Sequence, residues 1–159
     1  MFNKMRRIKQ ELNEHEIDKI LKRNTSGVLS LLCENGYPYG VPLSYVYSDN
    51  KIIFHCAKVG QKLEAISNCS KCSFTIIDMD HVVSEEYTTY FRSVIVFGKV
   101  KIIEDEDIIL KDIDILAEKY RKDFLEERQK EIQKSYKAMT ILELEIEYKS
   151  GKQSIELVR

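Results

Sequence analysis

Residues 27–56 read GVLSLLCENGYPYGVPLSYVYSDNKIIFHC, and their periodicity decides the fold. Apolar side chains recur at alternate positions, the two-residue period of strands with one buried face. Val28 to Cys33 is a predicted strand. Glu34-Asn35-Gly36 follows as a hairpin signal, because Asn-Gly accepts positive φ at both turn positions. Tyr39 to Tyr47 is the second strand, and Ser48-Asp49-Asn50 turns into a third over Lys51 to Cys56. Pro42 has no N–H to give a ladder, so its strand must lie at an edge, carry a bulge or interrupt its pairing. The sheet is expected to open there.

Working outward, Asn13 to Glu16 starts like a capping box, and Ile17, Ile20 and Leu21 continue at helical spacing to Asn24. Gly60 to Asn68 is a second helix, with Leu63 and Ile66 as its apolar face. Cys72 to Ile77 is a strand, 78–86 a polar loop, and Tyr87 to Ile103 a long strand. Its middle, Val94 to Phe97, is apolar on both faces, so its outer face should meet a helix or another subunit. Ile109, Ile113, Leu116 and Tyr120 mark an amphipathic helix, and 121–137 reads as a mostly solvated one. Leu142 to Tyr148 alternates as a half-buried strand. The turn 149–152 then leads to a last short strand over 154–158. The sum is a mostly β chain with accessory α: six or seven antiparallel strands that lose their edges most economically as a small closed or nearly closed barrel. One domain over 1–159 is expected, with barrel strands in 24–103 and 139–159 and a helical insertion over 105–138.

The chain has 159 residues, 43% hydrophobic, with 25 Lys and Arg against 26 Asp and Glu, a net charge of −1. That balance argues against a nucleic-acid partner and against a polybasic membrane anchor. Apolar runs are strand-sized, and no apolar stretch follows the basic start, so a cytoplasmic protein is expected. Cys69 and Cys72 form a C-x-x-C, but no second close pair completes a zinc site, and no metal is expected. Cys33 and Cys56 read as small core hydrophobes. Tyr37, Tyr39, Tyr45 and Tyr47 read as sheet packing. Neither phosphate-loop, dinucleotide, nucleophile-elbow nor zinc-protease motifs occur, and no paired carboxylates stand out. No catalytic side chain is assigned.

Ile52 to Leu63 is a strand that feeds a helix through a loop of small residues. A helix start has unpaired N–H groups and partial positive charge, which suit a phosphate. Gly60 allows close approach, Lys62 adds charge to the first turn, and His55 at the strand end is placed to donate to an oxygen or face a ring.

The segment Tyr37 to Tyr47, then Ile53 to Ala57 with Gly60 and Lys62-Leu63, resembles the pyridoxamine 5′-phosphate oxidase-like flavoproteins, and within them the nitroimidazole-resistance (Nim-type) branch. The similarity extends to Met5-Arg6-Arg7, to Ser93-Val94 with Phe97-Gly98-Lys99, and to Gly151-Lys152. The resemblance implies a split β-barrel that forms a homodimer, with FMN in a groove at the subunit interface. It implies that the backbone of Val41, Pro42, Leu43 and Ser44 borders the isoalloxazine ring. His55, Cys56 and Ala57 would lead to the phosphate, and Gly60, Gln61 and Lys62 would surround it. Tyr90, Arg92 and Ser93 would reach the flavin from the second subunit.

There are departures. Gln61 stands where the true oxidases have an arginine beside the lysine, Asn68-Cys69 replaces Asn-Pro, and the oxidases' substrate-binding arginine and histidine have no match. A vitamin-B6 oxidase is therefore not expected. The resemblance implies an FMN-dependent oxidoreductase acting on a small molecule, a nitro-aromatic among the classes, through flavin N5 and with NAD(P)H as a donor. The alternative is a non-catalytic carrier or sensor of flavin or haem on the same barrel, with His55 the first residue to suspect as a haem ligand.

Overall fold

The computed structural model describes residues 2–120 and 125–158. Its strands are β1 (Ser26–Leu32), β2 (Pro38–Ser44), β3 (Val46–Ser48), β4 (Lys51–Ala57), β5 (Lys71–Val83), β6 (Thr88–Ile103) and β7 (Met139–Gln153). Its α-helices are α1 (Glu14–Arg23), α2 (Gln61–Asn68), α3 (Glu106–Tyr120) and α4 (Leu125–Ser135). Every strand pairing is antiparallel, in the order β2-β1-β5-β6-β7-β4-β3. The two edge strands, β2 and β3, are consecutive in the chain and separated by Tyr45 alone. In a flat sheet of this order they would lie about 29 Å apart. The sheet must therefore curl until its edges meet at Tyr45. The result is a barrel with one seam that no ladder closes.

Pro42 sits in edge strand β2 opposite Val28, which is where a residue without an N–H is tolerated. The predicted strand 39–47 divides at Tyr45 into β2 and β3. The turns exchange their expected forms. At Asn35-Gly36 only Gly36 has positive φ (82°), and its N–H donates to Cys33 O at 2.9 Å. Positive φ at both central residues occurs instead at Asp49 and Asn50 (49° and 57°), between β3 and β4.

Two further expectations are corrected. The loop expected over 78–86 is mostly strand, because β5 pairs with β6 as far as Val83 opposite Thr88. The turn at 149–152 is absent too: β7 runs unbroken to Gln153, and a 3-10 turn over Ile155–Leu157 replaces the last strand. The helix expected over 121–137 is seen as α4, with 121–124 outside the described residues.

The barrel interior is filled by Leu29, Tyr45, Phe54, Phe74, Ile76 and Leu144, all fully buried, and α1 and α2 cap it with Ile20, Leu21 and Ile66. A second apolar cluster lies outside the barrel. There Ile113 and Leu116 of α3 and Ile132 of α4 pack on Val46, Ile53 and Ile141, so the helical segment covers β3, β4 and β7. Burying each such side chain stabilises the fold by about 1.5–3 kcal/mol. On the corresponding face of β5 and β6 Phe2 packs against Phe97 and Tyr148, and no described helix covers the rest. Val94 and Val96 are buried, but Ile95 is 37% and Ile77 66% exposed.

Candidate functional site

The site is assembled where β4 ends and α2 begins. Strand alternation turns Cys56 inward, half-buried against the barrel core, and leaves His55 exposed on the opposite face with Ala57. The chain then makes an open loop through Lys58 and Val59, the latter 83% exposed. Gly60 has φ 136° and ψ 164°, a conformation that L side chains rarely adopt, and nothing lies within 4 Å of the Cβ it lacks. Glycine is needed there for its backbone, and the space beside it is open.

The Gly60 carbonyl accepts from Leu63 N at 2.9 Å and Glu64 N at 3.4 Å. The N–H groups of Gln61 and Lys62 thus stand free at the start of α2, and no side chain caps them. The Lys62 ammonium has no carboxylate partner among the described residues. Its charge reaches Cys56: burial pushes that thiol above its ordinary value, and Lys62 offsets part of the rise. Two backbone donors, one free cation and an open glycine make a donor set without an acceptor. That set fits a phosphate group. The Gln61 side chain points elsewhere, with Nε2 3.5 Å from Cys33 Sγ, so its backbone is what it offers to this cradle.

β2 approaches β4 across the seam. Val41 and Leu43 turn their side chains into the barrel core, while Pro42 and Ser44 face outward and are exposed. Tyr90, Arg92 and Ser93 are not brought to the cradle within one chain. On β6, Ser93 is level with Lys152 of β7, whereas His55 is level with Ile141, which pairs with Ile103. The ten residues from Ser93 to Ile103 span about 33 Å of strand. Tyr90 donates to Glu86 at 2.7 Å, and Arg92 lies 3.5 Å from Asp78.

His55 borders a cleft of about 240 Å³ between the barrel and the helices, walled by Ile113, Leu116, Ala117, Ile132 and Met139. Arg128, Glu131, Ser135 and Tyr120 supply its polar groups. Arg128 is buried and its Nε lies 3.1 Å from Asp114 Oδ1, an ion pair without hydrogen-bond alignment. Sequence periodicity places Tyr120 on the α3 face but gives no sign of Lys119 or Arg128, since both look like solvated helix charges. Cys69 and Cys72 are free thiols, and burial pushes Cys72 up to about 12, which suits packing.

An antiparallel split barrel with an anion cradle at a strand-to-helix junction defines a class of cofactor-binding folds. The model of the family described as pyridoxamine 5′-phosphate oxidase matches residues 13–153, and the chain belongs to that family. No curated protein matches the sequence. Among solved structures, a candidate 5-nitroimidazole antibiotic resistance protein from Bacteroides thetaiotaomicron VPI-5482 superposes with a TM-score of 0.75 at 20% identity, covering 90% of this chain and 86% of that one. The flavocytochrome Anf3 from Azotobacter vinelandii gives 0.82 at 17% identity over 96% of this chain and 72% of its own. An FAD- and haem-binding protein from Mycobacterium smegmatis gives 0.76 at 22%, over 92% and 73%. These likenesses carry the fold. No described helix is long and apolar enough to cross a membrane.

Proposed function

We propose that this protein is a homodimeric FMN-binding flavoprotein that passes hydride or electrons between a donor such as NAD(P)H and a small molecule, with nitro-aromatics the first acceptors to test. The observation that carries this reading is the cradle at Gly60, Gln61 and Lys62, a set of donors with no acceptor among the described residues. Family membership and neighbours named for flavin support it. When bound, the flavin supplies redox chemistry at N5, so no side chain need act as nucleophile. The chain's part is to bind and orient. Lys62 and the α2 N–H groups hold the phosphate, and the Val41–Ser44 backbone borders the ring. His55, Cys56 and Ala57 link the two. Tyr90, Arg92 and Ser93, about 33–43 Å along β6 from the level of His55, serve the site of a second copy.

One observation favours a second reading, a non-catalytic carrier or sensor of flavin or haem: His55 is exposed at the rim of an apolar cleft. The test is the visible absorption spectrum of the purified protein before and after incubation with excess FMN and desalting. Retained flavin bands, reduced by NAD(P)H and reoxidised by an acceptor, are the expected result. A Soret band would favour the second reading, and no chromophore after loading would overturn both.

A further inference from the structure

Tyr45 is the one residue between the two edges of the barrel; its N–H reaches Thr25 O at 3.3 Å as β1 and β2 part, and its carbonyl is left to the helical segment. The carbonyls of Asn24, Thr25 and Tyr45 converge at this seam. Lys119 Nζ donates to Asn24 O and, at 3.1 Å, to Tyr45 O, and it lies 4.3 Å from the centroid of the Tyr45 ring. Two carbonyl oxygens and a ring face form a small cation site, and Lys119 supplies the cation. The Tyr120 hydroxyl lies 2.8 Å from Thr25 O and 2.9 Å from Tyr45 O, sharing one proton between them. The same oxygen accepts the Tyr45 N–H at 3.2 Å. Inside the barrel the Tyr45 ring is fixed as well: its hydroxyl donates to Leu21 O at 2.7 Å, and its edge meets Phe74 at 5.0 Å.

The last two residues of α3 therefore satisfy the backbone at the point where β2 leaves the sheet. Ser44, the neighbour of Tyr45, is also the last residue of the stretch assigned to the ring.

We propose that Lys119 and Tyr120 are positioning residues: by clamping the seam at Tyr45 they fix the Pro42–Ser44 strand in the conformation that receives the flavin ring. This rests on the flavin reading above. The hydrogen bonds of both residues go to Asn24, Thr25 and Tyr45. They act through Tyr45, and the Tyr120 ring also lines the cleft beneath α3. The helical segment between β6 and β7 is thereby tied to the cofactor strand.

The test compares wild type with Tyr120→Phe and Lys119→Met, which keep apolar bulk and remove the donors, and with Ile108→Val as a control at the exposed first turn of α3, away from the seam. The first readout needs no flavin: amide exchange over 41–48 should quicken about tenfold in both seam variants and stay unchanged in the control. The second is FMN binding: Kd should rise about tenfold in the seam variants, with a shifted visible band shape for the bound flavin. Lys119→Arg, which keeps charge and donors, should restore the band shape. Unchanged exchange in the seam variants overturns the clamp. Faster exchange with unchanged affinity and band shape overturns its positioning role. Faster exchange in a protein whose wild type takes up no flavin leaves the clamp intact and removes the flavin reading, so the two failures are distinguishable.

Discussion

Gly98 lies so close to β7 that a Cβ on it would meet Glu145 O at 2.0 Å and Leu144 Cδ2 at 2.9 Å. The obstacle is backbone, which cannot swing aside as a side-chain end can. Gly98→Ala should destabilise the fold by about 3 kcal/mol, read as a lower denaturation midpoint with unchanged slope. The sequence marks Gly98 only through the Phe97-Gly98-Lys99 resemblance; the bulge that presses it against Glu145 comes from pairing between distant strands. Asp112 was equally illegible, sitting on the α3 face as an ordinary helix charge. It is buried against Glu143, and its Oδ2 has no donor among the described residues. Burial, then the Glu143 carboxylate, push it up to about 6 from 3.8. Burial alone would raise Glu143 too, but Lys51 and Lys101 outweigh it and hold that group low. Because the folded form of Asp112 binds its proton more tightly, its favourable contribution is full below 3.8 and lost as pH rises through about 6. Asp112→Asn should therefore stabilise the protein at pH 7.5 by about 1–2 kcal/mol, and the gain should vanish near pH 3.5. Thermal midpoints of both proteins at the two pH values check the sign.

At the scale of elements, β5 carries the clearest lesson. Asp78 stands at a register shift between Ile77 and Met79. It accepts from Arg23 Nε at 2.7 Å and Asn24 Nδ2 at 2.8 Å, with Arg92 3.5 Å away. Burial would raise its carboxyl, but these bonds and charges hold it below the usual range. One carboxylate thus ties the end of α1 to β5 and β6. Asp78→Ala should cost about 2 kcal/mol, because it strands a partly buried Arg92, and a urea titration would read the loss. This is also why 78–86 looks like a loop. Past the shift the strand is largely exposed on both faces, so no alternation survives, and an acid at a bulge resembles an acid in a turn. The segment 27–56 was legible because β1 and β2 alternate between inward and outward side chains and short polar turns separate the strands. The α2 cradle was legible because Gly60 and Lys62 act through local backbone geometry, and local geometry is what short spacings encode. The Lys119–Tyr120 clamp joins residues 74 or more positions apart and left no local trace.

For the whole molecule, the face of β5 and β6 that no described helix covers is the decisive feature. Ile77, level with Ser93, is 66% exposed and Ile95 37%, while α3 and α4 cover β3, β4 and β7. Two-sided apolarity at Val94 to Phe97 pointed to a covered face, and no described helix supplies the cover. A homodimer through this face is expected by light scattering, and Ile77→Lys with Ile95→Lys should give a folded monomer with weakened flavin binding. A monomeric wild type at micromolar concentration would contradict the shared site.

The most direct test of the central claim is a fluorescence titration of wild type and Lys62→Glu with FMN, and with riboflavin, which lacks the phosphate. The cradle predicts that wild type binds FMN more tightly than riboflavin by about 100-fold, the worth of roughly two charge-assisted hydrogen bonds, and that Lys62→Glu abolishes this preference while the fold persists. Equal affinity of wild type for the two ligands, or no binding of either, would contradict it.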